Sequence, residues 1–215
     1  MGVVVGVTGG IATGKTTVVR IFGEFGAGAL DADEIGHQIL SSDTGVGREI
    51  RAAYGPTVID DTGKVDRAKL GEMVFADRVA RETLNRIMHP RIIEVLRARI
   101  DEFRARASAR EVLAVEIPLL VEAKLIGLVD RVVVVSAEQE TQKHRLKMRG
   151  NLSAKQVVQR LESQSPISEK VKVADWVINT EGGMGDTELQ VRRIWDELTE
   201  TCCGKGNGSY RNGSS

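Results

Sequence analysis

Apolar residues along this chain fall into two kinds of pattern. Short, mainly apolar runs occur at 3–7 (VVVGV), 112–118 (VLAVEIP), 131–137 (RVVVVSA) and 175–179 (DWVIN). Such runs, bounded by glycine, proline or charge, predict strands buried on both faces of a parallel sheet. A shorter segment, AGALDAD at 27–33, reads as a further strand. Helical patterns separate most of the runs, which predicts an α/β fold with a largely parallel sheet flanked by helices.

The second pattern has the period of a helix. Between Asp33 and Val112 the positions Leu70, Met73, Val74, Leu84, Ile87, Ile92, Leu96, Ile100 and Phe103 recur at three- and four-residue intervals. A loop of that length would be unusual, and the periodicity predicts a helical insertion after the second strand. A second insertion, rich in Arg and Lys, is expected from 138 to about 172, where Ser153 and Gln156 have the spacing of a capping box. The end, CCGKGNGSYRNGSS, has almost nothing to bury and reads as a flexible tail.

Composition narrows the function classes. The 215 residues are 41% apolar, ample for a core, and Lys plus Arg equals Asp plus Glu at 30 each. No overall field favours nucleic acid or an anionic membrane, so any bound anion needs a local site. The start, MGVVVGVTGG, lacks signal-peptide character and no apolar run approaches a membrane span, so a cytoplasmic location is expected. Cys202 and Cys203 are adjacent in the polar tail and suit neither a disulfide framework nor a zinc site.

The first strand leads into GGIATGKT, where Gly9, Gly14, Lys15 and Thr16 satisfy G-x-x-x-x-G-K-[ST] between a strand and a helix. Glycines let successive backbone N–H groups turn inward around a phosphate at the positive end of a helix beginning near Lys15. The loop residues Gly9, Gly10, Ile11, Ala12, Thr13, Gly14, Lys15, Thr16 and Thr17 are therefore candidates for binding ATP. Lys15 would reach the β and γ phosphates, and the Thr16 hydroxyl would bind Mg²⁺. A guanine-reading Asn-Lys-x-Asp motif is absent, which favours ATP over GTP.

Asp31 and Asp33 follow at the end of the second strand. Residues two apart in a strand share a face, so both carboxylates would project from its carboxyl end towards the phosphate loop. One carboxylate could orient or deprotonate an attacking hydroxyl while the other holds water of the Mg²⁺ shell. The plainer reading makes them caps of the following helix.

Together GVTGGIATGKTT, LDADEIGHQIL, VDRAKLGEMVF, LNRIMHPRI, EIPLLVE, ETQKHRLKMR and KVADWVIN resemble the dephospho-CoA kinase family, in order and from Met1 to about Gly183. The resemblance implies ATP-dependent phosphorylation of the 3′-hydroxyl of dephospho-CoA, with Mg²⁺, by a phosphate-loop NTPase-type fold in three parts. These would be a nucleotide core (1–32, 110–137 and 173–200), a helical acceptor-binding domain (33–109) and a helical lid (138–172), with 201–215 as the tail. It places the catalytic pair on Asp31 and Asp33, with Asp33 as the base, Asp31 near the metal and Lys15 on the phosphates. It also puts His89, Pro118 and Leu119 near the acceptor and Arg145 on the nucleotide.

Several of these assignments have a bland counterpart. His89 precedes Pro90, a step that also marks helix boundaries, and Pro118 also reads as a strand end. Arg145 and Arg149 are four apart on one helical face, whereas Arg149, Arg160 and Lys170 read as parts of solvated helix faces. Where the family usually reads Asp-Asn after the last strand's VI, this chain has Asn179 and Thr180. The remaining alternatives are another phosphate-loop kinase acting on a nucleoside monophosphate or small alcohol, and a nucleotide-dependent regulatory module. No nucleic-acid or membrane partner is expected, and the protein reads as a monomer or weak homo-oligomer.

Overall fold

The computed structural model describes residues 2–149, 156–158, 161 and 166–201. Five strands, β1 (Val3–Gly9), β2 (Gly28–Asp31), β3 (Val112–Glu116), β4 (Arg131–Ser136) and β5 (Trp176–Asn179), form one sheet in the order β2-β3-β1-β4-β5. β1 runs parallel to both β3 and β4, with Val5 opposite Ala114 and Val7 opposite Val133, and β5 is parallel to β4. Two carboxylates fasten strand starts: Asp130 accepts from the Val4 N–H at 2.8 Å and Asp175 from the Val132 N–H at 2.7 Å.

Strand alternation sets the layers. Val5 and Val7 of β1 face α1 (Lys15–Glu24), which buries Val18, Val19, Ile21 and Phe22 on that side. The long C-terminal helix 184–201 adds Val191, Ile194 and Leu198 to the same core. On the opposite face lie Gly6 and Thr8 of β1. A Cβ at Gly6 would sit 3.0–3.1 Å from Leu120 and Val129, so the glycine admits those side chains. Burial on both faces explains the mainly apolar runs.

The chain divides into two units, residues 1–30 with 103–215, and residues 31–102. The second is helical: α2 (Ala32–Ser42), α3 (Thr44–Tyr54), α4 (Arg67–Ala76) and most of α5 (Arg78–Arg106). Aspartates cap the first three, Asp31, Asp43 and Asp66, each accepting from N–H groups of the first turn. Val46, Ile50, Val58, Leu70, Val74 and Met88 form its core. Helical periodicity thus read this region correctly, although Met73 is 38% exposed. α5 runs unbroken through Pro90, so the His89–Pro90 step is no helix boundary. Proline lacks an N–H for the Arg86 carbonyl, but 29 residues of helix with Leu96, Ile100 and Phe103 buried outweigh one missing bond.

In the first unit, α6 (Gln139–Arg149) follows β4, residues 156–158 are helical and α7 (Ile167–Val171) precedes β5. The C-terminal helix Met184–Thr201 is α8. The start of the expected capping box at Ser153, Arg160, Cys202, Cys203 and the rest of the tail lie outside the described residues, as does the Arg149 side chain. No helix among the described residues is long and apolar enough to cross a membrane.

Candidate active site

The phosphate loop is shaped by two glycines that no other residue replaces easily. Gly9, closing β1, has φ 151°, and a Cβ there would collide with the Val135 carbonyl oxygen of β4. Gly14, at φ 97° and ψ 21°, turns the chain into α1. No side chain caps α1 and no acid occupies its first turn, so its leading N–H groups and positive dipole end are kept for an anion. Within the loop the Thr13 hydroxyl and the Lys15 ammonium both donate to the Gly10 carbonyl at 2.9 Å. Thr13 and Lys15 are buried, at 0% and 8% exposure, and Ala12 adopts φ 57°. Ile11 and Ala12 pack with Leu146 of α6, Val157 and Leu161, which holds the loop's crest against the segment after β4.

Arg145 sits on the other flank. One of its nitrogens, Nη1, donates to the Thr180 hydroxyl at 2.9 Å and lies 3.4 Å from the carbonyls of Ala12 and Thr13, while Nη2 donates to the Thr180 carbonyl at 2.6 Å. The Thr180 hydroxyl donates in turn to the Thr13 carbonyl at 2.7 Å. A guanidinium thereby ties α6, the loop and the segment after β5 together. Beside it a cleft of about 220 Å³ is lined by Gly14, Thr17, Arg145, Thr180, Gly182 and Met184, among others. Glu181 braces the cleft's rim: its carboxylate accepts from the Thr141 hydroxyl at 2.7 Å and the Glu138 N–H at 2.5 Å. Those bonds, the Thr141 one first, hold its pKa below the usual carboxylate value.

Three residues escaped the sequence reading. Glu116, the last residue of β3 and 6% exposed, accepts from the Thr16 hydroxyl at 3.3 Å, and its signal was an acid ending an apolar strand. Thr180 looked like a departure from pattern and is instead a buried link between Arg145 and the loop. Lys170, expected on a solvated face, is fully buried: its ammonium lies 3.0 Å from Glu122 and donates to the Pro118 carbonyl at 2.8 Å. Sequence periodicity fails for a five-residue helix, because no repeat exists to show which face is inward. Pro118 and Leu119 stand in the turn just beyond β3, where Ile117 N–H still donates to Val7 and the Thr8 hydroxyl donates to Pro118.

In the helical unit the aspartates are arranged differently from expectation. Asp31 ends β2, but Asp33 is already in the first turn of α2, so strand alternation does not relate them. One oxygen of Asp31 accepts from the N–H groups of Asp33 at 2.8 Å and Glu34 at 3.4 Å, which makes Asp31 the cap of α2. The helix starts early because that cap satisfies two leading N–H groups at once. Asp33 is exposed at the positive end of α2. His89, on α5, is half-buried, and burial lowers its pKa, so it is neutral at pH 7.

The donor set suits a hard divalent cation. Thr16 and Glu116 offer oxygen within hydrogen-bond distance of each other, and Mg²⁺ asks for one or two carboxylates completed by water and phosphate. No cluster of three or more His, Cys, Asp or Glu side chains able to enclose a metal occurs among the described residues.

Comparison with known proteins agrees with this geometry. Residues 3–186 match the family model for dephospho-CoA kinase. A dephospho-CoA kinase from Bacillus thuringiensis subsp. konkukian is 40% identical over 194 residues, covering 90% of this chain and 96% of that one. The dephospho-CoA kinase structure from Campylobacter jejuni superposes with a TM-score of 0.68 at 27% identity, covering 94% of this chain and 99% of the other. A shikimate kinase from Acinetobacter baumannii, at 19% identity and a TM-score of 0.51, covering 94% and 95%, shares the fold. The chain therefore belongs to the dephospho-CoA kinase family, whose members use ATP to phosphorylate dephospho-CoA in the last step of coenzyme A synthesis.

Proposed function

We propose that this protein transfers the γ-phosphoryl group of ATP to the ribose 3′-hydroxyl of dephospho-CoA, in the cytoplasm and as a monomer or weak homo-oligomer. The observation that carries the reading is the phosphate loop: an uncapped, acid-free helix start behind a glycine turn, with Lys15 drawn across it. Membership of the family supports the choice of acceptor. In this reading residues 9–17 cradle the phosphates and the cleft beside Arg145 and Thr180 seats the adenine. Residues 33–109 hold the acceptor, with His89 near it, and 138–172 act as a lid.

The acceptor oxygen forms a bond to the γ phosphorus while the bond from that phosphorus to the bridging oxygen breaks, releasing ADP. Asp33 orients the hydroxyl and takes its proton. Lys15 and Arg145 stabilise negative charge as it moves to the leaving oxygen, and Pro118 and Leu119 fix the acceptor in line. Thr16 and Glu116 would hold Mg²⁺, with Asp31 on its water shell, and the ion would supply positive charge to offset that of the phosphates. Exclusion of water by the lid would keep ATP hydrolysis slow without acceptor.

The test is ADP release from Mg·ATP with dephospho-CoA beside AMP, pantothenate and adenosine, with Lys15→Ala and Asp33→Asn as controls. Release with dephospho-CoA alone, lost in both variants, is expected. Release with a different acceptor would keep a kinase and reject this acceptor, and rapid turnover without any acceptor would contradict the scheme.

A further inference from the structure

A fully buried lysine is uncommon unless it is paired, and an apolar residue generally serves stability as well as a buried ion pair does. What Lys170 holds is therefore informative. Its ammonium grips both ends of the turn after β3, donating to the Pro118 carbonyl at 2.8 Å and pairing with the Glu122 carboxylate at 3.0 and 3.1 Å. That uses donors an ammonium can aim separately. The Pro118 carbonyl is held a second time, by the Thr8 hydroxyl at 3.1 Å, and Thr8 immediately precedes Gly9 of the phosphate loop. Lys170 itself belongs to α7, the end of the second insertion, which packs on β1 and β4. A continuous line of bonds thus runs from the strand feeding the phosphate loop, through Pro118, to the helix that closes the segment 138–172.

We infer that Lys170 is a positioning residue that fixes Pro118 and Leu119 for the acceptor and ties their placement to α7. The inference rests on the reading that this turn contacts dephospho-CoA. Lys170 touches no reacting atom and acts through the turn alone.

Three variants test it: Lys170→Met, the double variant Lys170→Met with Glu122→Leu, and Thr8→Val. The double variant removes both charges, whereas the single one takes the ammonium partner away from the Glu122 carboxylate. With initial rates measured against each substrate and melting followed in parallel, the double variant should regain thermal stability. Its KM for dephospho-CoA should still stand about tenfold above wild type, the scale of one lost charged hydrogen bond, with KM for ATP within about twofold. Thr8→Val should move the same KM in the same direction by a smaller factor. A stable double variant whose KM for dephospho-CoA returns to the wild-type value would overturn the inference and leave Lys170 a packing residue. KM values for ATP and acceptor rising together would also overturn it. A wild-type protein that never turns over dephospho-CoA would overturn the acceptor reading first and this inference with it.

Discussion

Replacing Thr180 by valine keeps the branched shape and removes one hydroxyl with three polar partners, the weakest being the Ser136 carbonyl at 3.3 Å. That hydroxyl donates to the Thr13 carbonyl at 2.7 Å and accepts from Arg145 at 2.9 Å, at a site only 5% exposed. A neutral hydrogen bond contributes about 1 kcal/mol and one to a charged group about 1.5–3 kcal/mol. Arg145 keeps the Thr180 carbonyl at 2.6 Å and the two loop carbonyls at 3.4 Å, so its charge is not stranded and the lower end applies. The loss is then about 2–3 kcal/mol, which for a chain of this size lowers Tm by roughly 4–12 °C. Because Thr13 lies within the phosphate loop, KM for ATP should rise about fivefold or more while KM for the acceptor changes little. Calorimetry and initial rates on Thr180→Val, beside Thr180→Ser, which retains the hydroxyl, measure both effects. A valine variant melting within about 1 °C of wild type, or matching the serine variant, would refute the assignment of Thr180 as the link that braces the loop.

Gly9→Ala should cost more than about 4 kcal/mol or yield no folded protein in urea titration, since the new Cβ meets the Val135 backbone carbonyl, which cannot move aside. Lys15→Met should lower kcat by about 10²–10³ with melting little changed, because the ammonium's work is on transferring charge. His89 titrates below its ordinary value of 6.5 when folded because burial disfavours its charged form. Below pH 6.5 the unfolded chain therefore binds more protons at this site, and stability falls as pH drops towards the folded pKa. Urea titrations from pH 8 to 5 should show that part of the slope vanish in His89→Gln, and an unchanged slope would contradict the assignment.

The sequence was most legible where one residue type has one structural use. β1, β3 and β4 stand where apolar runs predicted them because both faces of the sheet are buried there, while the edge strands β2 and β5 are partly exposed, and the phosphate loop followed from glycines whose backbone angles leave few alternatives. The helical region was legible from its period, and the alternative that Pro90 marks a helix boundary fails, since a long helix anchored by buried Leu96 and Ile100 absorbs one missing bond. Asp31 and Asp33 were found for a reason that does not hold in the fold: the strand ends at Asp31, whose carboxylate caps α2. Glu116, Thr180 and Lys170 were missed together. Each works through a partner distant in sequence, Thr16, Thr13 and Glu122, and no local pattern signals a pairing across that distance.

The central claim concerns one bond on one sugar. Phosphorus NMR of the product made from Mg·ATP and dephospho-CoA reads that bond directly. The account predicts one new phosphomonoester resonance coupled to the ribose H3′ proton, equimolar with ADP and absent with Asp33→Asn. A phosphomonoester coupled to another ribose proton, or inorganic phosphate alone, would contradict it.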